Sequence, residues 1–299
     1  MTAAAPRAHR GTIHLEDGTV LQHTAHDAQQ HVLRIAAPLT AAHATAGSFI
    51  HLRCAARLSM RRPLSIMRAA PAAGWIEVLF KVVGAGTAAL AACGVGDTLS
   101  LLGPIGRGFS LHTGRPRVLA LGGGVGIPPM VFLAEGLVGD TRAAWKPLVL
   151  MGSEIPFPFR PRPSRILVPA APPEAIACMP LLDEWGVPSR LASNAGFAGC
   201  FGGHVTELAA QWLAGLAPAE RAEVAVYACG PTPMLAAAAR LAHQHELPCQ
   251  VSLEEYMACA VGGCAGCAVE VHTGSGTAMK RVCVDGPVFE ARSVFPARA

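Results

Sequence analysis

Apolar and polar positions follow two different rhythms along this chain. From about Gly11 to Gly106, short apolar-polar runs are cut by Gly, Pro and Asp, and Thr12–Glu16, His31–Ala36, Ser48–Arg53, Leu64–Arg68 and Trp75–Val83 read as strands. Regular short strands of this kind predict a small antiparallel β-barrel, with a helix only near Thr87–Cys93. From Arg117 the runs lengthen and alternate in type. Apolar strands are expected at Arg117–Leu121, Pro147–Met151, Pro188–Ala192, Glu223–Ala228 and Cys249–Leu253. Helices fall between them: one through Leu137, one over Val205–Leu213 and one ending near His245. Continuously apolar strands alternating with helices predict a parallel α/β layer. Proline-crowded Ile155–Pro173 offers only a short strand at Arg165–Val168. The organisation expected is a β-barrel domain over 1–115, an α/β domain over 116–250 and a cysteine-bearing segment over 251–299.

Composition narrows the class. Of 299 residues, 52% are hydrophobic and only 15% charged, which is the reverse of a disordered chain. Gly, Pro or charge interrupts every apolar run before it could span a bilayer, and the N-terminal stretch has no apolar signal core, so a cytoplasmic protein without a membrane span is expected. A net charge of +4 with scattered basic residues does not suit nucleic acid, and Arg160, Arg162 and Arg165 among prolines read as a solvated loop. Of ten cysteines, Cys54, Cys93, Cys178, Cys200 and Cys249 lie singly among apolar neighbours and read as small buried hydrophobes.

Four others carry a pattern. Cys259, Cys264 and Cys267 follow C-x4-C-x2-C, and Cys283 comes later, which is the plant-type [2Fe–2S] ligand spacing. A short curled loop can supply three thiolates, while a separate segment must return with the fourth. Gly262, Gly263 and Gly266 suit the curl and can turn amides toward sulfur. Structural zinc usually draws on two matched cysteine pairs, and Cys283 has no neighbouring partner. A disulfide framework suits small secreted domains rather than this long apolar chain. Glu254 and Glu255 precede the loop and read as capping or pairing residues.

The remaining candidates are loops at strand ends. Arg62, Pro63, Leu64 and Ser65 place a phosphate-binding cation, a rigid turn and a hydroxyl in order at a strand start. Phe80, Lys81 and Val82 run into Gly84-Ala85-Gly86-Thr87, a glycine turn whose amides could face a pyrophosphate. Each, taken alone, is more often an ordinary loop. Gly122, Gly123, Gly124 and Gly126 link a strand to a helix, the place where α/β folds bind dinucleotide pyrophosphates, although the spacing departs from G-x-G-x-x-G. Glu154, beyond the second strand, reads either as a ribose ligand or as a solvated loop residue. Gly230 and Pro231 follow Cys229 at the end of a strand, where glycine lets a ligand approach the backbone and Pro231 and Pro233 open a helix.

Taken in order, Arg62–Ser65, Gly84–Thr87, the run Gly103–Phe109, Gly122–Gly126, Cys229–Met234, the cysteines and the tail Val282–Phe289 resemble the ferredoxin reductase-like superfamily. Within it, the chain is most similar to the iron–sulfur flavoprotein electron-transfer subunits of class B dihydroorotate dehydrogenase. That resemblance implies FAD at the Arg-Pro-Leu-Ser and Gly-Thr stretches, a [2Fe–2S] cluster, NAD(H) as co-substrate and Cys229 bordering the nicotinamide as a catalytic residue. It further implies an FMN-containing catalytic partner in a hetero-oligomer and a place in pyrimidine biosynthesis. The expected chemistry is a relay: nicotinamide gives two electrons at once, a cluster takes one, and FAD bridges the two. Related modules serve other clients, such as ferredoxin:NADP transhydrogenase, hydrogenase or sulfide dehydrogenase, and a redox-sensing cluster protein is the non-catalytic alternative. Three features depart from the family pattern: Ala260 stands where glycine is common, Arg107 where a small polar residue is usual, and Ile155–Pro173 is unusually proline-rich.

Overall fold

Apolar alternation closes the first part of the chain on itself. The computed structural model describes residues 12–55 and 58–296, so the N-terminal stretch up to Gly11 lies outside the described residues. Strands β1 (His14–His26), β2 (Gln30–Ala36), β3 (Phe49–Leu52), β4 (Arg62–Ala70), β5 (Trp75–Lys81) and β6 (Thr98–Ile105) form a closed antiparallel barrel in the order β1-β2-β5-β4-β3-β6. Its core is filled by inward residues such as Leu33, Ile50, Ile66, Val78 and Leu101. Two short helices sit in the connections: α1 (Pro38–His43), opened by a proline, and α2 (Ala85–Ala91), in the region expected to be helical. Neither β6 nor α1 was among the expected elements, although β6 does alternate over Thr98–Leu101.

The second part builds one six-stranded sheet and a small two-stranded one, β9 with β10. Its elements are β7 (Arg117–Gly123), α3 (Ile127–Val138), β8 (Lys146–Gly152), β9 (Arg162–Pro163), β10 (Ala177–Cys178), α4 (Pro180–Glu184), β11 (Ser189–Ala192), α5 (Val205–Ala214), α6 (Pro218–Ala222), β12 (Val224–Cys229), α7 (Thr232–Gln244) and β13 (Cys249–Ser252). The order is β11-β8-β7-β12-β13-β16, parallel until β16 (Val288–Glu290) adds antiparallel to β13. Every residue of β12 is buried, as expected of a strand covered on both faces.

Arg165–Val168 forms no strand. Only Arg162–Pro163 pairs in this stretch, with Ala177–Cys178. The stretch is held instead by the buried Asp183 carboxylate, which accepts from Ser164 Oγ (2.9 Å), Arg165 N (3.2 Å) and Arg165 Nε (3.0 Å).

Polar side chains seat the link between barrel and sheet. Ser110 exchanges hydrogen bonds with Gln250 (N to Oε1 2.9 Å, Nε2 to O 3.1 Å), and His112 N donates to the buried Tyr227 hydroxyl at 3.1 Å. After β13 come the hairpin β14 (Ala268–Thr273) and β15 (Gly276–Arg281), then β16 and α8 (Ala291–Val294). None of the described helices is long and apolar enough to cross a membrane.

Candidate cofactor sites

The cysteine segment is a loop whose ends are tied down. Hairpin β14–β15 leaves Cys267 and comes back to Cys283, with Val282 N donating to Cys267 O at 3.0 Å. The Cys267 and Cys283 thiols therefore lie 3.3 Å apart and buried. Nearer the surface, the Cys264 thiol and amide both turn to Cys259, the amide at 3.4 Å from its sulfur. The four sulfurs thus gather as two pairs. Among the described residues, no three His, Cys, Asp or Glu side chains converge as they would on one metal ion. Two adjacent pairs suit a two-iron centre, in which each iron takes two thiolates, better than a single tetrahedral zinc.

Electrostatics divides the pairs. Burial opposes ionisation of Cys259, but the amides of Val261, Cys264 and Gly263 outweigh it and bring the thiol down to about 7. At Cys283 burial dominates, reinforced by neighbouring Cys267, and pushes the thiol up to about 12. Arg281 holds the loop from outside, with Nη1 on Gly262 O at 2.9 Å and its own amide on Asp285 Oδ2 at 2.8 Å. Gly262 has φ +82 and packs on Val284. Ala260 and Ala265 also sit in the left-handed region, at φ 56 and 54, which costs an L-residue ~1–2 kcal/mol. Arg107 N donates to Gly286 O at 2.6 Å and Leu253 N to Pro287 O at 2.9 Å, stitching the segment to the barrel exit and the sheet alike.

On the barrel, two separated stretches meet. A Cβ at Gly86 would lie 3.0 Å from Arg62 Nε, so the bare backbone gives the guanidinium room to rest against the α2 turn. Thr87 Oγ1 folds that turn by accepting from Val83 N at 2.9 Å and donating to Gly84 O at 3.1 Å. Pro63 pairs with His51 and Ser65 with Phe49 on the partly open face of β4, while Leu64 points into the barrel. Lys81 and Val82 lie at the rim where β5 ends. Phe80 does not join them: it is buried in the barrel core with its ring stacked on His31 at 5.3 Å.

At the carboxyl edge of the sheet the two glycine turns touch. Gly122 and Gly123 end β7, and Gly124–Gly126 turn into α3. A Cβ on Gly126 would fall 2.6 Å from Gly230 N and closer still to the Cys229 carbonyl. One on Gly123 would meet Met234, with Pro231 at 3.2 Å. Cys229 itself is fully buried beneath this contact, its thiol held protonated by burial and beside Ser252. Glu154 is exposed and accepts from Asn194 N at 3.1 Å and Asn194 Nδ2 at 3.2 Å. Glu254, which no motif had assigned to this edge, is exposed yet lies close enough to Cys229 for its charge to be felt there, and the protein packed around it desolvates the carboxyl and raises it. Only the placement of β13 beside β12 brings it in.

Comparisons with known proteins converge on one family. Residues 254–295 match the iron-sulfur cluster binding domain of dihydroorotate dehydrogenase B, and residues 19–109 match the oxidoreductase FAD-binding domain. The chain is 32% identical over 260 residues to the dihydroorotate dehydrogenase B (NAD(+)) electron transfer subunit of Desulforamulus reducens, covering 86% of this chain and 89% of that one. It is 35% identical over 255 residues to the subunit of the same description from Bacillus caldolyticus, covering 83% and 86%. Among solved structures, an NADH-dependent reduced ferredoxin-NADP oxidoreductase chain superposes with TM-score 0.73 at 24% identity, over 93% of this chain and 89% of that one. A ferredoxin reductase of carbazole 1,9a-dioxygenase gives 0.59 at 20%, over 79% and 67%. These two structures share the ferredoxin reductase-like fold.

Proposed function

The chain belongs to the family of dihydroorotate dehydrogenase B electron-transfer subunits, and from that premise we propose that it relays electrons between NAD(H) and a separate dihydroorotate dehydrogenase catalytic subunit through bound FAD and a [2Fe–2S] cluster. When bound, FAD exchanges two electrons with nicotinamide and single electrons with an iron–sulfur centre. The chain's own residues supply place and charge. Cys259, Cys264, Cys267 and Cys283 hold the cluster, with loop amides directed at the outer thiolate. Arg62 would neutralise the pyrophosphate of bound FAD, the Gly86–Thr87 turn would give it backbone room, and Pro63 and Ser65 on β4 would line its site. Phe80 and Leu64 belong to the barrel core and support β5 and β4 from within, while Lys81 and Val82 shape the cradle around the contact residues. The glycines at 122, 123, 124, 126 and 230, with Pro231, shape the nicotinamide edge, and buried Cys229 packs beneath it as a neutral thiol.

A barrel domain over 1–115, an α/β domain over 116–250 and a cluster segment over 251–299 are the working division. The observation that carries the reading is the pairing of four thiols on a loop tied both to the barrel exit and to the sheet edge. A cluster held there stands where electrons can leave for another protein, which we take to be an FMN-containing subunit in a hetero-oligomer in the cytoplasm.

The test is a mixing assay with purified proteins. Alone, the loaded chain should reduce artificial acceptors with NADH and leave dihydroorotate untouched. Adding an FMN-containing dihydroorotate dehydrogenase subunit should produce dihydroorotate-dependent NAD reduction. Oxidation of dihydroorotate by this chain alone would refute the relay.

A further inference from the structure

The barrel and the sheet are joined by a charged clamp that neither cofactor motif uses. Against β5, β4 changes register between Ile66 and Arg68. Ile66 and Met67 go to different cores by ordinary strand alternation, Ile66 inside the barrel and Met67 in the cluster that includes Met130 and Val131 of α3, and the irregularity then turns Arg68 outward beside Met67 where strict alternation would have sent it inward. The next residue, Arg68, reaches α3 with both Nε (2.9 Å) and Nη2 (2.6 Å) on Glu135 Oε1. The same guanidinium lies 3.7 Å from Glu77, which is bound by Arg34 at 2.7 Å. Trp75 and Trp185 flank it at 5.4 and 5.0 Å. Glu135 Oε2 is buried with no hydrogen-bond partner among the described residues, so the carboxylate depends on Arg68. Side-chain exposures of 19% for Arg68 and 26% for Glu135 keep the pair partly desolvated.

Both ends of this clamp lead to proposed reaction sites. Arg68 is three residues beyond Ser65 on one strand, about 10 Å at ~3.3 Å per residue. Glu135 is nine residues beyond Gly126 on one helix, about 13 Å at ~1.5 Å per residue. A tilt of α3 against β4 by about 5° would move the glycine turn by ~1 Å, and misplacement on that scale can cost up to ~10²-fold in rate.

We propose that Arg68 and Glu135 are positioning residues that set the distance and angle between flavin and nicotinamide by fixing α3 to β4. This rests on the electron-relay reading above. The test uses the full chain carrying FAD and cluster, with Glu135→Gln, Arg68→Met and Arg68→Lys. Stopped-flow flavin reduction is followed against NADH concentration, using NADH with and without deuterium at the transferred position. The limiting rate should fall roughly tenfold in Arg68→Met, less in Glu135→Gln and least in Arg68→Lys, which keeps the charge. FAD content, cluster absorbance and the apparent NADH Kd should change by less than about twofold, because the clamp touches none of them. Limiting rates equal to the parent's in all three variants would overturn the proposal, as would rate losses that merely track lost FAD. If the parent chain transfers no hydride from NADH, the relay reading fails first. The clamp is then judged by hydrogen exchange of the α3 amides, where faster exchange in Glu135→Gln supports it and unchanged exchange overturns it.

Discussion

Gly126→Ala is a small change with a large expected consequence. The added methyl would stand 2.6 Å from Gly230 N and nearer to the Cys229 carbonyl, all of it backbone that cannot rotate away. Ordinary carbon contacts need ~3.5–4.0 Å, so the Gly122–Gly126 turn and the Cys229–Gly230 turn must separate by about 1 Å. Overpacking of this kind costs ~1–3 kcal/mol, and at ~2–4 °C per kcal/mol for a chain of this size the Tm should drop by roughly 2–12 °C. The functional cost should exceed the stability cost, because both turns border the proposed nicotinamide position: a ~1 Å displacement can slow hydride transfer ~10²-fold. The Arg62 cradle and the cysteine loop lie on other elements, so flavin content and cluster spectrum should match the parent. The assay combines stopped-flow flavin reduction by NADH, calorimetric Tm and iron and flavin analysis. An alanine variant with parental Tm and parental reduction rate would show that the two turns are not in obligatory contact.

Three further outcomes are expected. Arg62→Ala should bind FAD ~10- to 100-fold more weakly, the loss of a charge-assisted contact worth ~1.5–3 kcal/mol, and equilibrium dialysis showing parental retention would remove Arg62 from the site. Cys283→Ser should lower iron and sulfide content while FAD is retained, and a full cluster with an unchanged spectrum would mean that the fourth ligand is elsewhere. Ala260→Gly should relieve the left-handed strain at φ 56 and raise stability by up to ~1 kcal/mol, net of the lost methyl burial and the greater freedom of the unfolded chain, with a lower Tm counting against it.

Much of this was written locally. Glycine turns between a strand and a helix, a C-x4-C-x2-C spacing and alternating strands are short-range patterns, each dictated by the φ/ψ or ligand geometry of a few consecutive residues. That is why the barrel, the parallel sheet, the Gly122–Gly126 turn and the first three cysteines could be read from the chain, whereas Ala260, at φ 56, stood out only through the family resemblance. Even the choice of iron–sulfur cluster over zinc followed from Cys283 having no neighbouring cysteine.

Contacts between distant segments were not written that way. Nothing near Cys283 says that hairpin β14–β15 delivers it 3.3 Å from Cys267. Nor does anything near Glu254 place it beside Cys229, which depends on β13 pairing with β12. Phe80 stands in a stretch that reads as a ligand turn, yet strand alternation puts it in the barrel core. Arg68 and Glu135 are 67 positions apart and belong to no motif, and only the β4 irregularity and the docking of α3 join them. Backbone conformation is set by neighbours in the chain, whereas burial and charge pairing are set by neighbours in space, and those become defined only when barrel and sheet pack together.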